Sequence, residues 1–197
     1  MSCNLNEKEE TLRMLGVRGE ADPQLELQVE EALRQCHEVA RPRYVYGIFD
    51  LTFAEDAVIL QGCSMRLEGK DIREHLDGCE KCALLATTIG SGIDSAILRA
   101  QAVDMSQAVI LDAAAGVVAD RTADRCEEEI RRIAESIGCD ITFRYSPGYG
   151  DFPIECQPEF LGVLNAGTRL GLTATQSCML LPTKSITAVI GLRRSLF

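Results

Sequence analysis

The stretch from Ser106 to Ile137 constrains this chain more than any other: it reads as helix almost throughout, and Gly138 stops it. Its first half is small and apolar (Ala113, Ala114, Ala115, Gly116), the composition of a helix packed closely against a sheet. Its second half carries Arg121, Asp124, Arg125, Glu127, Glu128 and Glu129, and is expected to emerge toward solvent. A sheet to receive this helix is also legible. Tyr44 to Phe53 is aromatic and β-branched and reads as a strand, with Ala57 to Gln61 as its hairpin partner across Glu55-Asp56. Cys82 to Ile89 reads as a buried strand and Ile141 to Tyr145 as another, with β-like runs at Ser177 to Leu181 and Ser185 to Leu192. Strands and helices mix without regular βαβ alternation, which predicts an α+β fold.

Upstream, Asp22-Pro23 is a helix start, with Asp as N-cap and Pro at the first helical position. Leu25, Val29, Ala32, Leu33, Cys36 and Ala40 recur at helical spacing until Pro42, and Asn6 to Leu15 predicts a shorter helix stopped by Gly16. Residues 1–42 are therefore expected to be a helical N-terminal arm packing on the domain formed by residues 43–197. Asp71 to Leu76 predicts a short helix, and Pro158 opens a helix that ends near Gly171.

A length of 197 residues suits one ordinary domain with a sizeable core. The formal net charge of −10 argues against a nucleic-acid groove, which needs clustered Lys and Arg. The longest uncharged stretch, Leu170 to Thr183, contains Pro182 and falls short of a membrane span. The opening MSCNLNEKEE is acidic and polar, unlike a signal peptide, so a cytoplasmic location is expected. The 9 cysteines are odd in number and irregularly spaced, as expected of reduced cytosolic thiols.

Several segments invite a functional reading. Gly90-Ser91-Gly92 follows a strand, and Asp112 lies about 20 residues on, as in a dinucleotide site; a lone Gly-x-Gly reads better as a tight turn. Cys79-Glu80-Lys81-Cys82 is a CxxC pair, read as structural thiols. A zinc site would have to recruit Cys63 and His75, and a redox pair would open a helix, whereas this one runs into a strand. No metal site is expected. His37 sits on a helix and is packed or solvated, and His75 reads as a surface residue of a short helix. With no Gly-x-Ser-x-Gly elbow, a hydrolase triad has little support.

Arg144-Tyr145-Ser146-Pro147-Gly148-Tyr149-Gly150-Asp151 differs in kind. A strand delivers an arginine to a loop that Pro147 blocks and two glycines free, gathering a guanidinium, backbone donors and two phenols at one sheet end. Arginine suits a two-pronged grip on a carboxylate. An ordinary Pro-Gly turn with a structurally paired arginine is the equal alternative.

RYSPGYGD, followed by LGLTATQSCMLLPTKSITAVIGL, resembles the activation (S-adenosylmethionine-binding) domain of cobalamin-dependent methionine synthase. The family's Arg-x-x-Pro-Gly-Tyr matches Arg144, Pro147, Gly148 and Tyr149. Its later Leu-Thr-Glu-Ser-like, Pro and Ser-Val-Ser/Thr-like segments match Thr175-Gln176-Ser177, Pro182 and Ser185-Ile186-Thr187. Ala119-Asp120-Arg121 with Asp124 is similar to the family's Ala-Asp-Arg-x-x-Glu. The match runs from about Asp112 to Gly191, and the whole chain resembles short, free-standing members of the family.

The resemblance implies a twisted, mostly antiparallel sheet flanked by helices, and a repair chemistry. Methionine synthase passes a methyl group over a cobalamin cobalt, and occasional oxidation leaves inactive cob(II)alamin. Rescue takes one electron, from a flavodoxin- or ferredoxin-like donor, and a methyl group from S-adenosylmethionine. The chain would then be an accessory component of a methyltransferase in methionine biosynthesis. It would bind S-adenosylmethionine and act in trans on a cobalamin-binding methionine synthase or related corrinoid protein. By the same resemblance Arg144 would hold the ligand carboxylate, and Asp124 would face the ammonium or order the site. Tyr145, Ser146, Pro147 and Gly148 would supply backbone hydrogen bonds, and Tyr149 would face the sulfonium and the corrin. Gln176 replaces the family's Glu, and the chain stops at Phe197 before a tyrosine pair that contacts the ligand in the larger domain. Weaker binding, or a pocket completed by the partner, is the corresponding expectation. The rival is a non-catalytic docking or escort module for a corrinoid methyltransferase that does not bind S-adenosylmethionine.

Overall fold

The structure, a computed structural model, describes residues 5–195. In chain order the elements are α1 (Leu5–Met14), α2 (Pro23–Val39), β1 (Arg43–Phe53), β2 (Ala57–Leu60), β3 (Arg66–Glu68), α3 (Lys70–His75), β4 (Lys81–Thr88), α4 (Gly92–Val103), α5 (Met105–Ser136), β5 (Cys139–Ile141), α6 (Gln157–Val163), α7 (Ala166–Leu170), β6 (Thr173–Ala174), β7 (Leu180–Leu181) and β8 (Ser185–Arg194). The large sheet runs β3-β2-β1-β4-β8-β5, and every pairing in it is antiparallel. With helices flanking it, this is the α+β architecture expected from the sequence.

β4 lies between β1 and β8 and is covered on both faces, which is why its sequence is an unbroken apolar run. Cys82, Leu84 and Ala86 point into one core with Val45, Leu60, Ile72, Phe152, Phe160 and Val189. Ala83 and Leu85, at alternate positions, face Cys126, Ile130, Ala134, Ala188 and Ile190 on the other side. A third cluster joins α2, α4 and the first half of α5 through Val29, Leu33, Cys36, Ile93, Leu111 and Ala115.

Local signals explain the element ends. Asp22 Oδ1 accepts from Gln24 N at 2.7 Å and caps α2, and Asp104 Oδ1 caps α5 through Ser106 N at 2.8 Å. The 32 residues of α5 serve two cores in succession. Its second half does not simply leave the protein: Thr122, Ala123, Cys126, Ile130 and Ala134 remain buried against the sheet while the charged residues occupy the other faces.

Three expectations need correction. The strand placed at Ile141 to Tyr145 is the shorter β5, followed by a bulge described below. The helix after Pro158 is broken at Asn165, whose φ of 52° is left-handed; asparagine tolerates that conformation, so the chain turns between α6 and α7 before Gly171 ends the pair. The run Ser177 to Leu181 contributes only Leu180–Leu181, paired with β6 in a separate small hairpin. None of the helices among the described residues is long and apolar enough to cross a membrane.

Candidate functional site

The site begins with a mismatch in the sheet. Ile141 pairs with Leu192 and Tyr145 bridges to Val189, so four steps of the outer segment meet three of β8. The extra residue is a bulge. Thr142 seals it: its backbone N–H donates to Gly191 O at 2.9 Å, and its hydroxyl accepts from Gly191 N at 2.8 Å in place of a carbonyl. Phe143 and Arg144 are thereby released from the ladder. Phe143 turns outward, 69% exposed, while Arg144 reaches α5.

There the guanidinium meets carboxylates one helical turn apart. Nη2 donates to Asp124 Oδ1 at 2.8 Å, and Nε lies 3.4 Å from Glu127 Oε2. Asp124 offers its other oxygen to Arg121 Nη1 at 3.3 Å, and Glu127 its other oxygen to Arg131 Nη2 at 3.0 Å. Arg144 Nη1 is buried with no hydrogen-bond partner. An orphaned charged donor is costly to keep from water, so it marks a position where an acceptor would be gained.

The loop after Arg144 is pinned from behind. Asp151 Oδ2 accepts from Lys70 N at 2.7 Å and Oδ1 from Asp71 N at 3.0 Å, while Asp71 Oδ2 accepts from Asp151 N at 3.1 Å. These backbone donors hold the Asp151 carboxyl below the usual carboxylate range. Gly150, at φ 53°, passes so close that a Cβ would overlap Asp71 Oδ2 and approach Tyr145 Oη to 2.7 Å. Beneath the loop the rings stack in order: Tyr145 on Phe152 (centroids 6.2 Å), His75 on Tyr145 (5.1 Å), and Phe143 edge-on to His75 (4.5 Å). His75, expected on the surface, is half-buried here; its Nε2 pairs with Thr142 Oγ1 at 2.9 Å, and burial lowers its pKa.

Arg144, Tyr145, Ser146, Pro147 and Tyr149 line one cavity of about 570 Å³ with Asp120, Phe143, Gln157, Leu180, Ser185, Ile186 and Thr187. Gly148 and Asp124 do not line it; Asp124 borders a neighbouring depression with Asn6, Arg121 and Arg125. Tyr149 is 67% exposed. The floor is ordered by buried Thr187, whose hydroxyl donates to buried Gln157 Oε1 at 3.0 Å. Asp120 went unassigned from sequence. Its signal was position: it stands four residues before Asp124, on the same side of the helix. The concave wall pushes the Asp120 carboxyl above the usual range, and Arg144 partly offsets this. Gln176 lies in the exposed turn between β6 and β7, away from the cavity wall.

Two contacts bear on how the site could work. Arg144 does not present a free fork, because Nε and Nη2 already face α5 and only Nη1 lacks a partner. Asp124 is held between two arginines, so its contact here is with the protein's own guanidinium groups.

The remaining motifs resolve as structure. Gly90-Ser91-Gly92 is the turn into α4, closed by Thr88 Oγ1 accepting from Gly90 N at 3.1 Å, and Asp112 pairs with Lys184 at 3.0 Å. Cys79 and Cys82 are free and buried, and burial raises both thiols, which opposes thiolate chemistry. Among the described residues, Cys63, Cys79, Cys82 and His75 do not gather into a metal site. His37 Nε2 bonds Glu7 Oε2 at 2.9 Å, joining α2 to α1.

No protein-family model matches the chain, and no curated protein matches it. Among solved structures it is similar to the MetH reactivation domain, whose crystal structure has AdoHcy bound. The TM-score is 0.67 at 14% identity, over 93% of this chain and 74% of that one. The fold is shared with that domain. At this identity the likeness concerns architecture, and the chemistry has to come from the residues themselves.

Proposed function

We propose that the protein is a reactivation component of a cobalamin-dependent methionine synthase, binding S-adenosylmethionine in the cavity under residues 144–149. The orphaned Nη1 of Arg144, a residue that lines the cavity, is the observation that carries this reading. The volume of about 570 Å³ falls in the range of small-ligand sites. One end offers a guanidinium nitrogen to a carboxylate. Asp120 supplies a negative charge for a sulfonium or ammonium, and Tyr149, exposed at the wall, would meet a partner docked over the cavity. Bound there, S-adenosylmethionine would supply a methyl group to cobalamin carried on a partner subunit, with an electron from a flavodoxin- or ferredoxin-like donor.

In this reading the chain does its work by positioning. Asp124 and Glu127 orient Arg144 so that Nη1 alone points to the ligand, and the Asp71–Asp151 clasp holds the loop that carries Ser146 and Tyr149. Calorimetric titration of the reduced protein with S-adenosylmethionine tests it, alongside recovery of methylcobalamin by an inactive cobalamin protein supplied with a reductant. Saturable binding and recovery that depends on this protein are expected. Absence of both overturns the reading and brings the docking or escort module forward; binding absent with recovery intact means that the partner completes the pocket.

A further inference from the structure

The pairs around Arg144 extend beyond the site. Glu10 of α1 lies 2.6 Å from Arg121 Nη2; Arg121 Nη1 reaches Asp124; Asp124 reaches Arg144; Arg144 reaches Glu127; and Glu127 reaches Arg131. Charges alternate without a gap, and both Asp124 and Glu127 divide their two oxygens between two arginines. Three of these side chains are sheltered, Arg121 at 27% exposed, Arg144 at 25% and Glu127 at 21%, while Asp124 between them is 45% exposed. Such pairs are screened far less than open surface pairs, and each polarises the next. Asn6 closes the α1 end: with its amide oriented to satisfy both neighbours, it accepts from Arg121 Nη2 at 2.7 Å and donates to Glu10 at 3.3 Å.

The consequence concerns Asp124. A carboxylate that serves only Arg144 could rotate to chelate it, drawing the guanidinium toward α5 and away from the cavity. Arg121 holds the second oxygen and prevents this, and Arg121 is itself kept in place by Glu10 from another element. We propose that Glu10 and Arg121 are positioning residues for Arg144, so that the seating of α1 sets the direction in which Nη1 is presented. For its effect on affinity this rests on the S-adenosylmethionine reading; for the orientation of Arg144 it does not.

The test separates the two. In the full chain the Nε–Hε signal of Arg144, assigned by its loss in Arg144→Lys, is followed by NMR in Glu10→Gln. The signal should shift. An unchanged signal overturns the proposal whether or not any ligand binds. Titration with S-adenosylmethionine then reads the coupling: Glu10→Gln should weaken binding about 3- to 10-fold, and the loss should vanish in an Asp124→Asn background. Full additivity of the two substitutions overturns it. Lys8→Gln is the control for simple loosening of α1, because Lys8 ties that helix to Glu26 and Glu30 at 2.8 and 2.7 Å and takes no part in the chain of pairs. Affinity and the Arg144 signal should be preserved in this variant; equal losses in Lys8→Gln and Glu10→Gln would mean that helix docking alone matters. Failure of wild-type protein to bind S-adenosylmethionine on its own removes the affinity readout and leaves the NMR outcome to decide this proposal.

Discussion

The turns at Gly90 and Gly150 both use glycine in the left-handed region, and only the second belongs to the candidate site. At Gly90 (φ 84°) the backbone donors of the turn find local partners: Gly90 N donates to Thr88 Oγ1, Arg41 N to Ile89 O, and Thr183 N to Asp94 Oδ2. At Gly150 (φ 53°) the loop is anchored as firmly, yet the arginine that opens it keeps one buried nitrogen unpaired beside a cavity. Glycine content does not distinguish the two. What does is the kind of group left short of a partner: at the second turn it is a guanidinium nitrogen of a residue that lines a cavity.

The contrast can be broken most forcefully at the glycines themselves. Gly150→Ala drives a Cβ into the Asp71–Asp151 clasp and should destabilise the fold by about 2–4 kcal/mol. Gly90→Ala meets only Arg41, at 3.5 Å and beyond, and should cost about 1–2 kcal/mol for its left-handed backbone. Urea unfolding of both variants measures the difference, and equal losses would mean that the clasp is slack.

Next in size is the ligand response. Arg144→Ala should weaken S-adenosylmethionine binding by about 1.5–3 kcal/mol, the scale of a hydrogen bond to a charged group, while Ser91→Ala at the other turn leaves it unchanged. Lysine should not rescue position 144, since it cannot face Asp124, Glu127 and the cavity at once. A smaller effect is expected at Asp120. Its folded-state carboxyl is raised, so the charge facing the cavity is lost as pH falls while ordinary carboxylates are still ionised. Affinity should fall over that same window, and Asp120→Asn should remove the pH dependence with a loss of about 2- to 5-fold at neutral pH.

The smallest effect sharpens the comparison from the stability side. Asp151 has a lowered folded-state pKa, so its contribution is fully present above the unfolded value, about 3.9, and is lost as pH falls through the folded value. Asp151→Asn should flatten the acid limb of a plot of urea midpoint against pH. A limb of unchanged slope would show that the backbone donors of Lys70 and Asp71 do not discriminate charge.

The sequence was most readable where structure is decided locally. The Asp22-Pro23 start of α2, the apolar run of β4 and the Pro-Gly loop after Arg144 each depend on neighbours within a turn or two. The bulge was hidden because its seal, Thr142 to Gly191, joins residues 49 apart. The charged half of α5 read as a solvated face for the same reason: the partners that order it, Glu10 and Arg144, are separated from Arg121 and Asp124 by 111 and 20 positions. That Arg144, Tyr145, Ser146, Pro147 and Tyr149 gather in one place was therefore legible, and the sharing of each carboxylate oxygen behind them was not. Asn165 shows the limit for helices, because a left-handed asparagine leaves no mark in an otherwise helical pattern.

The two margins of the large sheet are both cut short, β3 to three residues and β5 to three before its bulge. β3 turns Arg66 and Glu68 outward, and β5 turns Asp140 outward, so neither margin presents a flat, uncharged row of backbone groups. The Thr142 seal that aims Arg144 thus also denies incoming strands a template. In concentrated solution the folded molecule should resist fibril seeding, and Thr142→Val, which removes the hydroxyl from the bulge, is the substitution that would couple displacement of Arg144 to a gain in self-assembly, read as thioflavin fluorescence.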